Sequence, residues 1–420
     1  MNRPMRDLPG GALLETPRPL VPLWLLALFT FSGTLGMHIF VPALPSAGRD
    51  LGAGIGIMQW TVSLYIFGLA VGQLGYGPIS DRFGRRPALM AGLALYTIAG
   101  LAAALAPDTH ALIAARFFQA VGGCAGMVLG RAIVRDTAPP LGAARRLALM
   151  NLMVTLGPGA APIVGGAMAS TLGWRSIFFF LAALGFANAL FAWRLLPETG
   201  PTGATVKASA LARDYRRLIA SPAFLGYAIG GGCATTSMYA FIACAPFIFG
   251  EQLHRSAQEI GIYIAILVSG VWLGSFLMSR LIVTIPMARL LIGANAMSGI
   301  AAFAFLGAAL TSHLSVTLIV GAMFVFTLGA GIASPAALTQ AISVNPRVIG
   351  SASGLYGFAQ MGVGALCTAL AGLGKDAALS AAIVLAAAAV IGQASFWIAL
   401  YWRETSVADD NSVPPPPTKR

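Results

Sequence analysis

Charge is what this sequence has least of. Only 10% of its 420 residues are Asp, Glu, Lys or Arg, and its mean hydropathy is +0.80, against the roughly 25% charged residues usual in soluble domains. Such a chain cannot clothe a soluble core. Carboxylates are scarcer still: there are fourteen, none inside an apolar run, and only Glu259 touches the edge of one. Paired acids for general acid–base work are therefore absent from the apolar interior. The four cysteines, Cys124, Cys233, Cys244 and Cys367, stand at unrelated spacings inside apolar runs, which excludes a disulfide framework and a Cys-based metal centre. An integral membrane enzyme would need a catalytic cluster at the interface, and none is present. The lack of a Gly-x-x-x-x-Gly-Lys-Ser/Thr loop excludes ATP-driven pumping within the chain. The lack of a ring-forming polar filter argues against a channel. No metal and no organic cofactor is implied.

What is present is apolar length. A membrane span needs about 20 mostly apolar residues, and the sequence divides into twelve such runs, near 20–43, 57–77, 87–106, 112–133, 147–168, 175–196, 223–248, 259–281, 287–310, 314–337, 350–372 and 377–402. The first is too long for a signal-peptide core and lacks a small-residue cleavage site, so it reads as a retained span. The net charge of +12 could suggest nucleic acid, but its distribution excludes that partner. With the N-terminus inside, 21 of the 26 basic residues fall in cytoplasmic segments, four (Arg49, Arg175, Arg255, Lys375) fall in outer loops, and Arg116 lies within a span. This is the positive-inside pattern, with both termini cytoplasmic.

The longest polar interruption, 197–221, divides six spans from six. The expected organisation is a cytoplasmic tail over 1–19, a six-helix bundle over 20–196, a linker over 197–222, a second bundle over 223–402 and a disordered tail over 403–420. In the linker, "LARDYRRLIA" sets Leu211, Tyr215, Leu218 and Ile219 near one helical face and Arg213, Arg216 and Arg217 largely elsewhere, as a helix lying on lipid headgroups would. The halves look duplicated. Shifting "TLGMHIFVPALP" by 201 residues onto "TTSMYAFIACAP" matches Thr34, Met37, Phe40 and Pro45 with Thr235, Met238, Phe241 and Pro246, and sets His38 on Tyr239. A shift of 198 matches Tyr65, Gly72 and Arg82 with Tyr263, Gly270 and Arg280. Repeats of this kind are common in transporter folds.

Between spans two and three runs "GPISDRFGRRP", in which Gly77, Asp81, Arg82, Gly84, Arg85 and Arg86 keep a spacing that a generic stop-transfer turn does not need. This resembles the loop signature of the major facilitator superfamily. The resemblance implies twelve transmembrane helices in two pseudo-symmetric six-helix bundles, and a latch in which the Asp81 carboxylate and the arginines hold the halves together at the cytoplasmic side. The second-half counterpart keeps Arg280 but has Ser279 in the acidic place. In span four, Arg116 is followed at i+3 by Gln119 and small residues, similar to a second motif of the superfamily. Arg116 reads either as a cation snorkelling to the outer headgroups or as one facing a cavity. Arg131, Arg135 and Asp136 at the inner end of that span read as interfacial anchors. Span five, "LGPGAAPIVGGAM", resembles a motif of the antiporter branches and implies a packed, bent hinge of Gly157, Pro158, Ala161, Pro162, Gly165 and Gly166. "VPALPSAGRDLG" closely resembles the end of span one in the Bcr/CflA-like multidrug resistance transporters, where an Asp is typical at the place held here by His38.

His38 and Arg116 are then the only clearly intramembrane ionisable groups. Two readings of His38 are open: a hydrogen bond to a neighbouring helix, or a proton or ligand role. Candidate substrate contacts are Met37, Phe40, Gln119, Met238, Tyr239, Phe241 and Gln360, each of which could instead be core packing. The resemblance implies export of drugs or other small amphiphiles across the bacterial inner membrane in exchange for protons, by a monomer in lipid. With no acid in the core, neutral or anionic substrates are favoured over cations. The alternative is a metabolite exporter or facilitator not proton-coupled through span one.

Overall fold

The computed structural model describes residues 21–138, 140–200, 208–345 and 348–411. Among them there is no strand, and eleven helical segments are long and apolar enough to cross a membrane. An unpaired backbone N–H or C=O in hydrocarbon costs several kcal/mol, and a helix satisfies both within its own segment. The first half comprises α1 Leu23–His38, α2 Leu44–Asp50, α3 Ile55–Phe83, α4 Arg85–Ala104, α5 Thr109–Thr137, α6 Pro140–Thr171 and α7 Trp174–Leu195. After α8, Ala208–Ile219, the second half comprises α9 Pro222–Thr235, α10 Met238–Phe247, α11 Ala257–Leu281, α12 Met287–Leu310, α13 Val316–Ser343, α14 Ile349–Ala371 and α15 Ala377–Asn411. The 32-residue α6 occupies the place of the fifth span. The tail expected to begin at 403 starts as a continuation of α15, and residues 412–420 and 1–20 lie outside the described residues.

Several helices outrun their apolar runs. At 29 residues, α3 is about 43 Å long at 1.5 Å per residue, because Ser80, Asp81 and Arg82 continue the helix beyond the hydrocarbon. A single residue, Gly84 at φ +99°, joins α3 to α4, a conformation that a side chain would strain. Other starts are written in caps: Asp108 accepts from the Ala111 amide at 2.8 Å, Ser221 precedes Pro222, and Ser256 and Glu259 form a capping box.

Spans one and seven are broken. After His38 the chain makes a tight turn over Val41–Ala43, where Pro42 and then Pro45 supply no backbone N–H, before α2 resumes the course. In the second half the break falls between Thr235 and Met238, where Thr236 Oγ1 and Ser237 Oγ donate to the carbonyls of Gly232 (2.9 Å) and Cys233 (2.5 Å). Hydroxyls bonded to the preceding turn bend helices.

Within the first half α1 lies on α5 almost backbone to backbone. A Cβ on Gly123 would sit 3.0 Å from Gly33 Cα, and one on Gly126 would overlap the Phe29 carbonyl. Where lipid offers apolar side chains no water to escape, such small-residue contacts carry helix association. The halves meet along α3 with α14 and α6 with α11. The linker helix α8 buries Leu218, half-buries Leu211 and Tyr215, and leaves Arg213, Arg216 and Arg217 exposed. Because even one added methyl at Gly126 must push α1 away from α5, Gly126→Ala is expected to lower stability by about 1–3 kcal/mol, read as a reduced midpoint in thermal unfolding of the detergent-solubilised protein.

Candidate transport cavity and closure

The even number of passes from α1 to α15 sets the start of α1 and the end of α15 on one face of the bundle, the terminal face; the other is the distal face. A cavity of about 920 Å³ opens at the terminal face, walled by α3, α5, α8, α13 and α14. Gln73, Met127, Tyr356, Gln360 and Met361 line it together with Asp81, Arg85, Arg131, Arg135, Asp136 and Asp214. Arg131, Arg135 and Asp136 were expected at the interface as anchors. The structure corrects this: all three line the cavity, since their positions on α5 face the space between the halves.

Arg85 organises the cavity mouth. Its guanidinium donates to Asp81 at 2.5 Å, Asp136 at 2.8 Å and Ser80 Oγ at 2.6 Å. Glu198, the acid of "LPET" closing span six, accepts from the backbone amides of Arg85 (2.8 Å), Arg86 (3.1 Å), Thr199 (3.0 Å) and Gly200 (3.0 Å). A carboxylate at a helix N-terminus meets unpaired amides and the positive end of the dipole. Glu198 fits because Gly84 has no Cβ; one there would stand 2.5 Å from its Oε2. Arg86 also donates to the Trp193 carbonyl at 2.5 Å, Arg82 lies over the Phe83 ring at 5.1 Å, and Gly77 faces open cavity. All these described partners belong to the first half. In the second half, among the described residues, Ser279 bonds only its own helix, at Phe276, and Arg280 lies over the Phe276 ring.

The distal face is closed. Gly165 sits against the Ile39 carbonyl, a Cβ on Gly166 would lie 2.6 Å from the Ala257 carbonyl, and one on Gly261 would lie 2.5 Å from that of Pro162. The small residues of span five thus touch the second half at α11 with no side chain between. Ala161 and Pro162 are buried in the same stretch of α6; of Gly157 and Pro158 only the helical backbone is described. Alongside, Gln59 Nε2 donates to Cys244 Sγ at 3.0 Å. The His38 and Tyr239 rings, paired by the internal repeat, face each other across the halves with centroids 6.1 Å apart and both side chains buried. His38 Nδ1 lies 2.9 Å from the Thr34 carbonyl. A carbonyl only accepts, so this bond places the proton on Nδ1 and leaves the Nε2 lone pair free to take another.

Arg116 is fully buried inside the first half, away from the cavity. Its guanidinium lies 3.9 Å from the Tyr65 ring centroid and 5.6 Å from those of Phe40 and Phe178, and Nη1 donates to Gln119 Oε1 at 2.7 Å. Nε and Nη2 have no partner among the described residues. Aromatic faces worth about 2 kcal/mol each when desolvated partly offset that burial. Met37, Phe40, Met238 and Phe241 are likewise buried, with Phe40 against Phe178 and Phe241 against Phe305. Of the candidate contacts only Gln360 reaches the cavity, where its Nε2 donates to Thr235 Oγ1 at 2.8 Å beside the break in span seven.

The loop signature, broken spans and two-bundle arrangement agree with a match of residues 26–369 to the family model described as Major Facilitator Superfamily. The chain belongs to this superfamily. It is a multi-pass membrane transporter and not an enzyme. Among its relatives are the uncharacterized MFS-type transporter YdgK of Bacillus subtilis strain 168, 29% identical over 89% of this chain and 94% of the relative, and Multidrug resistance protein D of Escherichia coli strain K12, 30% identical over 61% and 65%. In fold it is similar to the crystal structure of a bacterial homolog of the human lysosomal transporter Spinster in an inward-facing and unoccupied conformation, with a TM-score of 0.70, 18% identity, and coverage of 92% of this chain and 97% of that one.

The distal seal predicts its own test. In a variant keeping Cys244 as sole cysteine, Gly261→Val is expected to wedge α6 from α11 and raise maleimide labelling of Cys244 about tenfold, since overpacking of 1–3 kcal/mol shifts a two-state equilibrium by that order.

Proposed function

We propose that this transporter exports drugs or other small amphiphilic compounds across the bacterial inner membrane by alternating access, in exchange for protons. The observation that carries the reading is the cavity of about 920 Å³ open at one face while glycine backbone contacts and the His38–Tyr239 pair close the other. The name of the multidrug resistance relative supports drugs as cargo, and a metabolite exporter uncoupled from span one is not favoured. The positive-inside charge pattern supports a cytoplasmic position for both termini, and in this reading the cavity faces the cytoplasm and the seal faces outside. The protein acts as a monomer in lipid.

His38 is the coupling group of this proposal. It ends α1 at the break, where rocking of the halves separates it from Tyr239 and exposes Nε2 to the outside. A proton taken there is handed on to water of the cytoplasm-facing cavity after the distal face closes, and the ring returns to its neutral form with the proton on Nδ1. Arg116, fixed in the same half, is the second group of the proposed coupling pair. The substrate pathway has no acid in its membrane-embedded part, so neutral or anionic amphiphiles suit it better than cations. The proton gradient is the only energy source required. In an efflux-deficient bacterial host, expression is expected to raise drug tolerance, and an uncoupler to abolish the gain; unchanged sensitivity across a broad panel would return the metabolite reading. In everted vesicles, His38→Ala is expected to reduce drug-dependent proton movement to the background of empty vesicles. Full coupling in that variant would remove His38 from the mechanism.

A further inference from the structure

Charge in the cavity is layered. At the mouth, within the last turns of their helices, Asp81 and Asp136 are held by Arg85 in ion pairs of 2.5 and 2.8 Å. Asp214 is on α8 and Arg135 is two residues from the end of α5. Arg131 lies deeper, six residues before Thr137 and so about 9 Å along the axis. Its side chain is open to the cavity, and among the described residues it has neither an ion-pair nor a hydrogen-bond partner. The innermost charge of the cavity is thus a guanidinium with no direct partner among the described residues, while the carboxylates Asp81, Asp136 and Asp214 stand nearer the mouth.

The surface beyond it is mixed, with Gln73 and Gln360 set among apolar groups. Met127 precedes Arg131 by four residues, so the two lie one above the other on α5, and Met361 of α14 lines the same space. Thioether side chains adapt to varied apolar shapes, while the planar fork of arginine matches a carboxylate or sulfonate with two parallel hydrogen bonds. A bound anion would relieve the unpaired charge; a bound cation would meet repulsion from Arg131 and Arg135.

We propose that Arg131 is the anion-binding residue of the transport cavity and that its preferred ligand is an amphipathic organic anion, with its carboxylate or sulfonate on Arg131 and its apolar body against Met127 and Met361. This rests on the cavity being the export route. Arg135, one turn nearer the mouth on the same face, draws such anions inward.

The test uses probes that differ in charge on one aromatic frame: dansylate (anion), dansylamide (neutral) and dansylcadaverine (cation), with binding to the reconstituted full-length protein read by energy transfer from tryptophan. Wild type is expected to bind dansylate at least about tenfold more tightly than dansylamide. Arg131→Gln is expected to bring that ratio to near one, and Arg131→Lys to retain most of it, which separates lost charge from lost folding. A wild-type ratio near one, or a ratio unchanged in Arg131→Gln, overturns the anion site. Uncoupler-sensitive drug tolerance, measured separately in cells, then decides whether the export reading still stands.

Discussion

The two halves of this transporter touch at the distal face through positions that carry no side chain. Gly166 of α6 meets the Ala257 carbonyl, and Gly261 of α11 meets that of Pro162, at backbone distance, while Gly165 packs α6 on Ile39 within the first half. Such a contact can close fully because no rotamer has to fit, and can open because little interdigitated surface is lost. Everything else follows from where that contact sits: with the distal ends together, the terminal ends diverge, and the space between them becomes the cavity. The breaks in spans one and seven lie beside this contact, which is why His38 and Tyr239 meet there.

Charge is managed by a second rule: acids stay out of the hydrocarbon, and the cation buried within the first half is held by something other than a carboxylate. Arg116 rests on Tyr65, Phe40 and Phe178 and on the Gln119 carboxamide. At the membrane boundary the opposite holds, and Arg85 is surrounded by Asp81, Asp136 and the Glu198 that caps its helix. The loop signature is accordingly a first-half device in this conformation, which keeps the α3–α4 turn rigid while its Asp81 carboxylate faces the open cavity.

Architecture was the most legible property, because a run of apolar residues long enough to span lipid has essentially one backbone solution. Helix ends were less so: α3 runs to Phe83 and α5 to Thr137 because polar residues continue a helix once they reach headgroups. The breaks in spans one and seven were not visible in hydropathy, since Pro42, Thr236 and Ser237 act through backbone bonding. The pairing of His38 with Tyr239 was encoded in the internal repeat. The partners of Arg85 were not, since Asp136 and Glu198 stand 51 and 113 residues away in sequence. Arg131 was misread as an anchor because periodicity places a residue on a helix but does not say whether that face meets lipid or a cavity.

The central claim is that closure of one face opens the other. Spin labels at Arg49 and Lys375, exposed on the distal ends of the two halves, and at Arg194 and Arg280, exposed on the terminal ends, report both faces by pulsed electron–electron distance measurement. The account predicts that conditions favouring the outward-facing state lengthen the distal distance while shortening the terminal one. Distances that stay fixed, or that change together in the same direction, would contradict it.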